Sequence, residues 1–152
     1  MRQVIIASLT IACAAVRAGQ PESPHVNESV PVAAVEQMQG NSHVLIMSSP
    51  SQFYRHFVLT DGVRWDLGVS DEGQIKYVST KDTRFKTAEG ITVGMRLSDV
   101  RARIKEPMIR YPGWAWAIEL PSGGKAAFVQ GRSLTEGSLS ASAPVSFLYC
   151  DN

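Results

Sequence analysis

The stretch Thr60-Asp61-Gly62-Val63-Arg64-Trp65-Asp66-Leu67-Gly68-Val69-Ser70-Asp71-Glu72-Gly73-Gln74-Ile75-Lys76-Tyr77-Val78 places one alternating run between two turn signals. Val63, Trp65, Leu67 and Val69 recur every second residue, the period of a strand with one buried face. Asp61-Gly62 is a hairpin turn, because glycine accepts the positive φ that tight primed turns require. Asp71-Glu72-Gly73 turns the chain again into a strand over 74–80, with Ile75 and Tyr77 read on the face opposite Lys76 and Val78. Upstream, residues 53–60 and the run His43-Val44-Leu45-Ile46-Met47 supply two more strands rich in apolar and branched side chains. The whole block reads as an antiparallel meander.

Downstream, the period changes. Leu97, Val100, Arg101 and Ile104 mark one face of a helix over 97–105, with Asp99 in its first turn, Arg103 and Lys105 in its last, and Pro107 stopping it. Strand character then returns: Trp114, Trp116, Ile118 and Leu120 fall on one face, with Ala115, Ala117 and Glu119 on the other. Pro121-Ser122-Gly123-Gly124 turns into a strand over 125–130, a Ser/Gly-rich connection covers 131–143, and a last strand covers 144–150. The predicted fold class is α+β: an antiparallel sheet, meander plus C-terminal strands, with one main helix packed on it. It forms a single domain over 43–152.

The N-terminal part reads differently. Arg2 precedes an apolar run over 4–12, too short to span a bilayer, and Val16-Arg17-Ala18 satisfies the small-residue rule for signal cleavage. Residues 1–18 are therefore predicted to be a signal peptide, and the protein to be periplasmic or secreted. Lipidation at Cys13 is the alternative, since Leu9-Thr10-Ile11-Ala12-Cys13 puts a small residue before a cysteine; it would anchor the chain to a membrane. In either case Cys150 is left alone and no internal disulfide is expected. Pro21, Pro24 and Pro31 with small polar neighbours make 19–42 a flexible arm, in which 31–38 is a candidate short helix.

Charge narrows the partners. Removing Arg2 and Arg17 takes Lys+Arg from 15 to 13 against 14 Asp+Glu, so no nucleic-acid footprint is expected, and membrane contact only through a lipid on Cys13. His25, His43 and His56 lack metal-ligand spacing, so no metal and no cofactor are predicted. No nucleophile elbow, phosphate-binding glycine loop or paired-cysteine motif occurs. Asp66, Asp71 and Glu119 are the carboxylates that a hydrolase would have to use. Arg96, Arg101, Arg103 and Arg110 flank the helix and read as a solvated surface.

The segment Ile91-Thr92-Val93-Gly94-Met95-Arg96-Leu97-Ser98-Asp99-Val100, with Ile104-Lys105-Glu106-Pro107, resembles the signature of the SmpA/OmlA type of envelope modules. Those chains read I-x-V-G-M-[ST]-x-x-[EQ]-V and then L-G-x-P; the β-lactamase inhibitor proteins share a related start to a helix. Gly94 would permit a close backbone approach, and Val100 and Ile104 would pack on a sheet. Arg96 replaces the capping Ser/Thr and Lys105 the terminal Gly, so the cap must come from elsewhere. The resemblance implies a noncatalytic envelope domain that binds other proteins and supplies no catalytic residues. The reading is thus a secreted or periplasmic binding protein, an assembly factor or an inhibitor, whose partner is another envelope or secreted protein. Arg110, Tyr111, Trp114 and Trp116 are its candidate contact residues, since Trp, Tyr and Arg dominate interface hot spots. The alternatives are a carboxylate-dependent envelope hydrolase and a structural lipoprotein.

Overall fold

The computed structural model describes residues 43–45 and 52–151. The predicted signal peptide, Cys13 and the predicted arm over 19–42, with its candidate helix over 31–38, lie outside the described residues. Among the described residues, eight strands and one helix follow in order: β1 (His43–Leu45), β2 (Gln52–Thr60), β3 (Val63–Val69), β4 (Ile75–Thr80), α1 (Leu97–Arg103), β5 (Met108–Tyr111), β6 (Ala115–Glu119), β7 (Lys125–Phe128) and β8 (Phe147–Asp151). All strands join one sheet in the order β1-β2-β3-β4-β8-β7-β6-β5, and every pairing is antiparallel. The predicted α+β class holds. Two four-stranded meanders run towards each other and meet where β8 pairs with β4, Val78 opposite Cys150.

One sheet face and α1 enclose the main core. Val63, Trp65, Leu67 and Val69 from β3 pack with Ile118, Ala126, Phe128 and Leu148, and Leu97, Val100 and Ile104 close over them. Phe85 stacks edge-on against Trp65, centroids 4.8 Å apart. The other face carries a smaller aromatic cluster built on Tyr77, Ala115, Ala117, Ala127 and Tyr149.

Four details differ from the sequence reading. Gly68 pairs with Tyr77 and Val69 with Ile75, so Lys76 is an extra residue in β4. This bulge restores Ile75 to the face of Val78 and leaves Tyr77 on the opposite one. Second, α1 ends at Arg103, and Lys105 Nζ donates to the Arg101 carbonyl at 3.0 Å. Third, Met108–Tyr111 is a strand, in a segment for which the sequence reading gave no element. Fourth, Cys150 is buried and disulfide-bonded, against the expectation of a lone thiol. The sequence holds one other cysteine, Cys13, outside the described residues.

The missing helix cap has a backbone answer. Arg96 makes no side-chain cap, but Leu97 N donates to Ala143 O at 2.8 Å and Ser98 N to Ala141 O at 2.9 Å. Gly94 N donates to Val145 O, and Val145 N to Met95 O, both at 2.8 Å. The connection after β7 therefore lies along the start of α1 and satisfies its first amides. Gly94 is required for its φ of 88° and not for close approach, since a Cβ there would meet nothing within 4 Å.

Candidate functional site

The four candidate contact residues come together at one end of the sheet. β5 is the last strand, paired to β6 on one side only, with Arg110 opposite Trp116 and Tyr111 opposite Ala115. Among the described residues, no backbone hydrogen bond reaches Met108–Tyr111 from outside the β5–β6 hairpin. In an antiparallel edge strand, alternate residues direct N–H and C=O away from the sheet. The strand is bounded by Pro107 and Pro112, and Ile109 and Arg110 are exposed.

Strand alternation sends the four side chains to two faces. Arg110 lies with Trp116 on the α1 face, its guanidinium carbon 5.2 Å from the indole centroid. One guanidinium nitrogen donates to Thr135 O at 2.8 Å, and Gly113 N donates to the Thr135 hydroxyl at 3.1 Å. Thr135 is buried, so the connection after β7 fixes both the arginine and the β5–β6 turn. The Trp116 indole N–H is buried and has no acceptor among the described residues.

Tyr111 and Trp114 occupy the other face. Trp114 lies in the turn before β6, which frees it from the strand's alternation and sends its ring away from that of Trp116. The predicted shared face of the two tryptophans is thereby corrected. Trp114 meets Tyr111, Phe147 and Tyr149 edge-on at 5.8, 5.6 and 4.9 Å. Burial, with Asp151 nearby, pushes the Tyr149 hydroxyl well above the ordinary tyrosine range. Lys125 pairs with Asp151 at 2.6 Å beside this ring.

The candidate hydrolase carboxylates are dispersed. Asp66 on β3 and Glu119 on β6 are separated by four strand spacings, about 19 Å. Asp71 lies in the β3–β4 turn, roughly 16 Å along the chain from Asp66 at extended spacing. Paired glycosidase carboxylates work at about 5–9.5 Å. The carboxylate that does share a surface with Asp66 is Asp82: with Arg64 and Lys81 they line an open depression of about 360 Å³. Hydrogen bonds from Arg84 hold Asp82 far below the usual carboxylate range, so it is no proton donor at neutral pH. Among the described residues no group of three His, Cys, Asp or Glu side chains is placed to hold a metal. Nor is any helix there long and apolar enough to cross a membrane.

Arg96, Arg101 and Arg103 remain apart from Arg110. Arg96 precedes α1, Arg101 donates to Glu106 O, and Arg103 to Glu89 O at 3.2 Å. The sequence reading had no signal for Thr135, whose role depends on a connection folding back over β5.

No protein-family model matches the chain, and no curated protein matches it. A solved structure, that of the uncharacterized protein yfeY from Escherichia coli, is similar to it at 12% identity, over 84% of this chain and 92% of that chain, with a TM-score of 0.45.

Proposed function

We propose that this chain is a noncatalytic binding protein of the bacterial cell envelope that takes its partner at the outer edge of β5. The observation that carries this reading is a strand, β5, that has no neighbour on its outer side among the described residues, with Arg110 and Trp116 on one side of the sheet and Tyr111 and Trp114 on the other. Strand addition uses such an edge: main-chain bonds give affinity, and side-chain contacts on both faces give selectivity. The leader-like N-terminal run and the SmpA/OmlA-type segment 91–107 support an envelope setting.

A photo-crosslinking residue at Ile109, presented to an envelope extract, is expected to give a discrete protein adduct. The same residue at Asp71, exposed in a turn at a distance from β5, is expected to give none. Equal adducts at both positions, or none at either, would overturn the reading.

A further inference from the structure

We infer that the strand received by β5 carries an acidic side chain opposite Arg110, with an apolar side chain on each side of it; this rests on the strand-addition reading above. Residues directly opposite each other in a sheet project to the same face, so the alternation of β5 is imposed on any strand beside it. Met108 and Arg110 lie on the face of Ile118 and Trp116, and Ile109 and Tyr111 on the face of Ala117 and Ala115. An added strand therefore meets a cation at one position and apolar surface at the two flanking positions.

Arg110 is prepared for such a partner. The bond to Thr135 O and the stacking on Trp116 fix the plane of the guanidinium, which lowers the entropy lost when a carboxylate pairs with it. One nitrogen is used in that bond. Among the described residues no carboxylate pairs with Arg110, and its other nitrogens have no acceptor. A planar donor group held this way favours a carboxylate, in a paired geometry that a lysine on the partner cannot supply and would oppose. On the other face Ile109 is 37% exposed and Tyr111 is half-buried against Trp114, a surface that apolar side chains would cover. Proline has no N–H, so Pro107 and Pro112 confine the recognised stretch to the four residues between them.

The probes are two disulfide-closed β-hairpin peptides that differ at one position, with outer strands reading Thr-Val-Glu-Val and Thr-Val-Lys-Val. Binding is followed by amide chemical shifts of the whole protein. The glutamate hairpin is expected to shift the amides of Met108–Tyr111 and to bind about tenfold more tightly than the lysine hairpin. Arg110→Glu should reverse that order, and Arg110→Gln should remove the preference while keeping the fold. Shifts in β5 with equal affinity for both hairpins overturn the acidic partner and leave strand addition standing. No shift in β5 with either hairpin overturns both.

Discussion

Glu89 shows how a single side chain ties distant segments together: it accepts from Ser122 N at 2.6 Å and from the Ser122 hydroxyl at 2.9 Å, joining the loop before Ile91 to the β6–β7 turn. Burial pushes its carboxyl upward, but the Ser122 bonds and its other hydrogen bonds outweigh this and hold it below its ordinary value. A carboxylate depressed in the folded state contributes stability above the unfolded value, about pH 4.3, and loses it as pH falls through the folded one. Glu89→Ala should therefore cost about 1 kcal/mol at pH 7, the discount reflecting its partial exposure. The gap to the parent protein should close below about pH 4 in urea melts. Neither this clamp nor the grip of Thr135 on Arg110 could be read from residue patterns, because each joins segments far apart in the chain. Trp114 was misplaced for a different reason: period-two reasoning applies only inside a strand, and this tryptophan stands one residue before β6.

At the scale of elements, α1 carries a lesson about caps. Its first two amides are bonded to the carbonyls of Ala143 and Ala141, so a side-chain cap has little left to satisfy. Arg96→Ser, which restores the residue that the resembled signature holds, should change stability by less than about 0.5 kcal/mol, where a needed cap would give roughly 1. Leu97→Ala at the adjacent position should cost about 2–4 kcal/mol, because that side chain is buried with Val100 and Ile104 in the main core. Equilibrium unfolding of both variants checks the contrast. The helix and the β2–β3–β4 meander were legible because their apolar periods are long and bounded by strong turn signals. β5 was not, since four residues between two prolines are too few to show a period, and the bulge at Lys76 reverses the alternation within β4.

For the molecule as a whole, β8 is the joint. It pairs with β4 on one side and β7 on the other, and it places Leu148 and Cys150 in the main core and Phe147 and Tyr149 in the aromatic cluster. Removal of residues 147–152 should abolish the cooperative thermal transition and the near-ultraviolet aromatic dichroism together. Survival of either would mean that the N-terminal meander folds alone. This joining was outside the reach of the sequence reading, which placed a last strand near the C-terminus without a neighbour for it. Chain order gives the joint a further meaning. β8 follows every other strand of the sheet, so the edges of β4 and β7 that it joins stay open until it docks. A chain caught before that step offers two strand edges at once, each a template for pairing with another molecule.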